Sequence, residues 1–254
     1  MSGFDPSDLS RDAFLGGRVS LYQPRKGYRA GADPVLLAAS VPAHAGQSVM
    51  ELGCGAGAAV LCLGARVAGL ALTGIEVQAN YADLARQNAA VNGLALEVLN
   101  CDLADLPTQT RQRQFDHVIA NPPYYRAGAH SAARDAGRRT ALGEETPLVD
   151  WIDVAARRLA PKGYCHIIQR SDRLPDLLMA CAGRLGSIEV LPFSGRAGRA
   201  PDLIILRARK GGRADFRLYA PRVLHSGRAH TSDKDSYCAD IRAVLRDGAV
   251  LDWG

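Results

Sequence analysis

Four consecutive residues, Asn121-Pro122-Pro123-Tyr124, close an apolar run that begins at Phe115. Neither proline can donate to a β-ladder and each fixes its own backbone torsion, so a strand must end there in a stiff corner. The Asn121 side-chain oxygen and the Pro122 carbonyl can each accept one N–H of a planar amino group. That arrangement aims the nitrogen lone pair and favours pyramidalisation as charge develops, with no base needed before transfer. Tyr124 offers an aromatic face on which a planar group can stack. In isolation the same residues would be a proline turn after a strand, so their meaning depends on what lies beside them.

Upstream, "ELGCGAG" sets Glu51 ahead of Gly53, Cys54, Gly55 and Gly57. Such a loop lets a ligand approach the backbone and turns helix N-terminal amides toward it. Glu76 follows at the end of the next apolar run, where a carboxylate can accept from two ribose hydroxyls. Asp102 ends a third run and can accept from the exocyclic amine of a purine. The glycines are spaced G-x-G-x-G, and Glu51 stands two residues before them. A pyrophosphate would be repelled by that carboxylate, which argues against a nicotinamide dinucleotide. A zwitterionic amino-acid tail carrying a sulfonium would be attracted, so the set suits S-adenosylmethionine. Each carboxylate alone would read as a solvated strand end.

These residues need strands and helices to carry them. From Ser48 onward short β-type runs alternate with helical ones: "SVMELG", a helix over Ala56–Val67, "LALTGIEV", and a helix from Gln78 to Asn92. Tyr81, Leu84, Ala85, Asn88 and Val91 recur at helical spacing in the latter, and Asn92-Gly93 is a stop signal. "ALEVLNCD", "FDHVIANP", a helix over Pro147–Leu159, "YCHIIQR" and a helix over Leu174–Leu185 follow. "SIEVLPFS" and "DLIILRARK" have no helix between them and pair as a hairpin. The pattern predicts an α/β fold with a mostly parallel seven-stranded sheet, one antiparallel strand and helices on both faces. Ligands then bind beyond the carboxyl ends of the strands, where the glycine loop and the proline corner meet. Three segments are expected: an N-terminal extension over 1–47, a core over 48–210, and an appendage over 211–254 packed on the core's edge.

The chain has 254 residues, enough for one sizeable core. Its composition, 47% hydrophobic and 22% charged, is that of an ordinary globular protein. A net charge of +5 favours an anionic partner without demanding one. Cys54, Cys62, Cys101, Cys165, Cys181 and Cys238 have no C-x-x-C spacing, so neither a zinc site nor any other metal is expected, and the thiols read as reduced, in a cytoplasmic protein. The N-terminus has no basic region followed by an apolar stretch, and no run is long enough to span a membrane.

Together, "ELGCGAG", Glu76, "CDL" and "NPPY" resemble the amino-group class of Rossmann-like, class I S-adenosylmethionine-dependent methyltransferases, over roughly Leu21 to Lys210. "LYQPRKGYRAGADPVLLAAS" resembles the segment that precedes the sheet in bacterial tRNA1(Val) adenine-N6 methyltransferases. In that subfamily a G-x-D-x-x-L-L helix start, here Gly31, Asp33, Leu36 and Leu37, covers the methionine end of the cofactor. Asp33-Pro34 also reads locally as an N-cap with a first-turn proline. The resemblance implies cofactor contacts at Arg29, Gly31, Asp33, Glu51, Gly53, Cys54, Gly55, Gly57, Glu76, Val77, Cys101, Asp102, Leu103 and Asn121. It implies catalytic roles for Asn121, Pro122 and Tyr124, and substrate contacts at Pro123, Tyr124, Tyr125, Arg126, Arg196 and Arg199.

The N-P-P-Y signature serves adenine N6, guanine N2, cytosine N4 and glutamine amides alike. Only 47 residues precede the first core strand, too few for the helical domain that release-factor glutamine methyltransferases carry there. The segment after the corner is basic (Arg126, His130, Arg134, Arg138, Arg139) and is expected to move. Ser194–Arg217 is basic again, with Arg196, Arg199, Arg207, Arg209, Lys210, Arg213 and Arg217. Cations flanking an active site fit a nucleic-acid substrate, and the target base must be unpaired or flipped. The expectation is an adenine-N6 methyltransferase acting on tRNA, as monomer or homodimer. A protein glutamine or rRNA guanine-N2 methyltransferase and a non-catalytic cofactor-binding module stand as alternatives.

Overall fold

The computed structural model describes residues 3–124, 146–227 and 236–253. Alternation of apolar runs with helical segments produces a central sheet built from β3 (Ser48–Leu52), β4 (Ala71–Glu76), β5 (Leu96–Asn100), β6 (Phe115–Ala120), β7 (Leu159–Arg170), β8 (Gly186–Arg196) and β9 (Leu203–Arg209). Their spatial order is β5-β4-β3-β6-β7-β9-β8, with β9 antiparallel to both its neighbours and all others parallel. The chain order reverses between β3 and β6, and that switch point opens the crevice that will hold the site.

The register fixes what meets there. Glu51 lies opposite Ile119 on β6 and Gly74 on β4, and Glu76 lies opposite Asn100. The residues that follow these strands, Gly53, Val77, Asp102 and Asn121, therefore share one edge of the sheet.

Side chains alternate between two cores, as period-two strands dictate. Val49, Ile119, Ile168, Leu191 and Ile205 face α1 (Asp33–Ser40) and α2 (Ala58–Arg66). Met50, Leu52, Val118, Ile167, Val190 and Ile204 form the other core, with two further helices. Past α3 (Ala79–Val91) and the short α4 (Thr108–Gln112), these are α5 (Leu148–Arg158) and α6 (Leu174–Cys181). The six thiols are free, four of them buried.

Three further features complete the fold. Two short strands, β10 (Arg217–Leu218) and β11 (Arg222–His225), add in parallel to the outer edge of β8, so the sheet exceeds seven strands. The last described helix, α7 (Ala239–Arg242), continues through a wider turn to Asp247 and buries Ile241, Val244 and Leu245 in the α1 core. Before the sheet, β1 (Leu9–Phe14) and β2 (Val19–Pro24) form a separate antiparallel hairpin.

The free edge of β2 is met by a helix rather than a strand. Asn88 Oδ1 accepts from the Tyr22 N–H at 2.7 Å, and its Nδ2 donates to the Tyr22 carbonyl at 3.0 Å and the Ala56 carbonyl at 2.9 Å. One turn along α3, Asn92 does the same with Ser20, at 2.8 Å in each direction. Two side-chain amides thus satisfy backbone groups that a ladder would otherwise have to pair.

Candidate active site

A cavity of about 860 Å³ opens at the carboxyl ends of β3, β4, β5 and β6, within the range of small-molecule sites. Its wall includes Arg29, Gly31, Asp33, Glu51, Gly53, Cys54, Gly55, Glu76, Val77, Cys101, Asp102, Leu103 and Asn121, together with Pro122, Pro123 and Tyr124. Four strand ends and the segment leading into α1 bring these together, although Arg29 and Tyr124 stand 95 positions apart in the chain.

Glu51 is only 3% exposed, and one of its oxygens accepts from the Val60 N–H at 2.9 Å. Burial pushes its carboxyl up to about 8, with the Glu76 charge adding to the rise and the Val60 bond opposing it. An acid held this way is poised to gain a cation as partner. Glu76 accepts from Gly55 N–H at 2.8 Å and Gln78 N–H at 2.9 Å, so it also ties the glycine loop to β4. Burial raises its carboxyl too. Asp102 accepts from the Ala104 N–H at 2.8 Å through Oδ1.

The glycine loop has no room for side chains where it meets α5. A Cβ on Gly53 would lie 2.6 Å from the Trp151 ring, and the residue has φ +63°. Cys54 lines the cavity, and its sulfur packs against Gly74. Gly57 is not in the wall; it caps α2 and packs on Leu61.

The proline corner is held from three directions. Asn121 Nδ2 donates to the Tyr28 hydroxyl at 3.3 Å. The Tyr124 hydroxyl donates to Asp33 Oδ2 at 2.5 Å. Burial, reinforced by the Asp33 charge, pushes the Tyr124 hydroxyl up and keeps it protonated. From β7, Gln169 Nε2 reaches the carbonyls of Pro122 and Pro123, each at 3.3 Å.

Several expectations need correction. Asp33 is not an N-cap: Ala32 holds that position, without a side-chain bond, and the Asp33 carboxylate serves Tyr124 instead. Arg29 lines the cavity, but its guanidinium is engaged by Asp12 at 2.7 Å and by Ser10 and the Pro24 carbonyl. Arg196 is the last residue of β8 and Arg199 follows it, three strands from Asn121 and outside the cavity; Arg196 bonds the Ser226 and Gly227 carbonyls. Because β9 runs backward, Arg207, Arg209 and Lys210 sit toward the opposite edge of the sheet from the site. There Arg207 pairs with Glu189 at 2.7 Å, and Arg209 and Lys210 bond the Lys162 and Leu159 carbonyls. Tyr125, Arg126 and the basic segment expected to move fall outside the described residues. Tyr28, Tyr81, Trp151 and Gln23 line the cavity without having been singled out. A glycine-flanked tyrosine ahead of the G-x-D segment was the available signal for Tyr28.

Comparison with known proteins now bears on this geometry. A family model for the methyltransferase small domain matches residues 31–184. This chain belongs to that family. The methyltransferase is 32% identical over 203 residues to the tRNA1(Val) (adenine(37)-N6)-methyltransferase of Porphyromonas gingivalis, covering 72% of this chain and 77% of the relative. It is 26% identical to the enzyme of the same description from Dickeya chrysanthemi, covering 86% and 87%. Among solved structures it resembles a protein described as a predicted O-methyltransferase from Agrobacterium tumefaciens, with TM-score 0.69, 25% identity, and 86% and 98% coverage. The 16S rRNA N2 G1207 methyltransferase of T. thermophilus shares the fold at TM-score 0.57 and 22% identity, covering 80% of this chain and 50% of that one.

The methyltransferase depends on S-adenosylmethionine, and the donor set fits that cofactor. A buried acid, two backbone-anchored carboxylates and a side-chain-free loop surround an apolar wall of Ile75, Val77 and Leu103. Among the described residues no helix is long and apolar enough to cross a membrane.

Proposed function

We propose that this methyltransferase methylates the N6 amine of an unpaired adenine in a tRNA. The observation that supports it is the Asn121–Pro122 corner in the cavity wall, two acceptors matched to the two N–H bonds of an aromatic amine. Tyr28 engages the Asn121 amide nitrogen, which leaves Oδ1 as the acceptor. When bound, the cofactor supplies an electrophilic methyl group on a sulfonium. In this reading Glu51 faces its ammonium, Glu76 its ribose hydroxyls and Asp102 its adenine amine. Asn121 and Pro122 then hold the target nitrogen with its lone pair toward the methyl, and Tyr124 carries the target ring. During transfer the two carbonyl oxygens would stabilise the positive charge growing on the amine nitrogen, whose surplus proton would then pass to water.

An oxygen acceptor, as the description of the Agrobacterium neighbour implies for that protein, would bring at most one hydrogen to a corner built to accept two. The names of the relatives from P. gingivalis and D. chrysanthemi agree with adenine N6. The test is incubation with labelled S-adenosylmethionine and, separately, RNA, DNA or protein from cells lacking this chain, followed by nucleoside and amino-acid analysis. Label in N6-methyladenosine from tRNA is expected; label in guanosine or glutamine would overturn the reading.

A further inference from the structure

Gln169 lies on β7 two residues past Ile167, the last residue there to pair with β6. It is fully buried and lies outside the cavity wall. Opposite it, the chain has left the ladder: Pro122 and Pro123 have no N–H to offer β7. Gln169 fills the gap with a side chain. Its Oε1 accepts from the Arg170 N–H at 2.9 Å, which fixes the amide's orientation, and its Nε2 stands 3.3 Å from both proline carbonyls. The opposite orientation would set a third oxygen against those two, without a proton between them.

A carbonyl oxygen has two lone pairs. We propose that Gln169 is a positioning residue for methyl transfer: its two amide hydrogens occupy one lone pair on each of the Pro122 and Pro123 carbonyls and leave the second lone pair of Pro122 directed at the target amine. Asn121 has a side chain to adjust; the Pro122 acceptor is backbone, and Gln169 is the side chain that sets its angle. This rests on the reading of Pro122 as an acceptor for that amine.

Two variants test it. Gln169→Met keeps volume and burial but removes both donors. Its kcat on tRNA should fall about 10- to 100-fold, as expected for a reacting group displaced by a fraction of an ångström, while KM and the cofactor Kd stay within about twofold. Gln169→Glu has the same shape and donates only when its carboxyl is protonated. Its kcat, normalised to the cofactor-bound fraction at each pH, should climb toward the wild-type value as pH falls, a trend absent from wild type and from the Met variant. If the Met variant does not hold cofactor, the Glu profile decides. A Met variant with wild-type kcat, or a Glu variant whose pH profile parallels wild type, overturns the assignment. Failure of wild type to label RNA adenine would instead refute the substrate reading.

Discussion

The Tyr124 hydroxyl donates to Asp33 Oδ2 at 2.5 Å, tying the proline corner after β6 to the start of α1. Ring and hydroxyl therefore have separate duties, and replacing the tyrosine by phenylalanine is not neutral. Tyr124→Phe and Asp33→Asn should each weaken turnover, and together cost less than their sum, with a coupling of about 1–2 kcal/mol for a partly buried charge-assisted bond. Tyr124→Ala loses the ring as well and should raise the KM for RNA further. Equal damage from Phe and Ala would mean that stacking contributes nothing.

Asn121→Ala should remove methyl transfer by a factor of about 10²–10³ or more while leaving cofactor affinity nearly unchanged, because the proposed mechanism has the residue act on the target amine. Isothermal titration beside a single-turnover assay separates the two. Loss of both together would show that Asn121 chiefly holds the cofactor.

Cofactor binding should take a proton from Glu51. Without ligand its carboxyl sits near 8 through burial, so much of it is neutral at pH 7. A cation placed against it favours the ionised form. Affinity should accordingly rise as pH climbs from 6 toward about 8, and binding at pH 7 should release protons. Calorimetry in buffers of different ionisation enthalpy reads that release, and Glu51→Gln should abolish it.

Gly53→Ala and Gly55→Ala should differ. Both sites have positive φ, which costs an L-residue about 1–2 kcal/mol. At Gly53 the new methyl would also meet the Trp151 ring at 2.6 Å, whereas at Gly55 the nearest atom, on Tyr28, is 3.9 Å away. Thermal melts should show the larger loss for Gly53→Ala, along with weaker cofactor binding.

Acid should act against the fold through two buried histidines, one on β6 and one on β7. His117 and His166 are buried on neighbouring strands, and desolvation pulls His117 down to about 4 and His166 well below its ordinary value. Both are depressed, so their contribution is intact above about 6.5 and is lost as pH falls toward 4, where the unfolded chain binds protons that the folded one refuses. Glu51 works in the opposite sense, since its raised carboxyl favours the folded state at low pH. Glu76, also raised by burial, adds to that opposing effect, so the contrast between variants is the readout: from pH 7.5 to 4.5 the melting temperature of His117→Gln should fall less, or rise more, than that of wild type.

Much of the site was legible because its residues stand where strands end. Glu51, Glu76, Asp102 and Asn121 are polar residues at or just past the ends of apolar runs, and parallel order alone brings such positions to one edge. What could not be read was lateral. Nothing local says that β9 runs backward, so a basic stretch in sequence read as one surface, although the reversal carries Arg207, Arg209 and Lys210 away from Arg196. Asp33 read as a cap because its local sequence is that of a cap; the Tyr124 hydroxyl, 91 residues later, competes for the same carboxylate. Gln169 left no mark, since a glutamine inside "YCHIIQR" resembles any strand terminus.

The amides of Asn88 and Asn92 have one further consequence. A strand edge with unpaired backbone groups invites a strand from another molecule, and these two side chains occupy that edge on β2 from the flank of a helix. They act as a guard against self-templating as much as a brace. Losing them would first be felt at high protein concentration, where molecules meet edge to edge, before it was felt in the chemistry of the site.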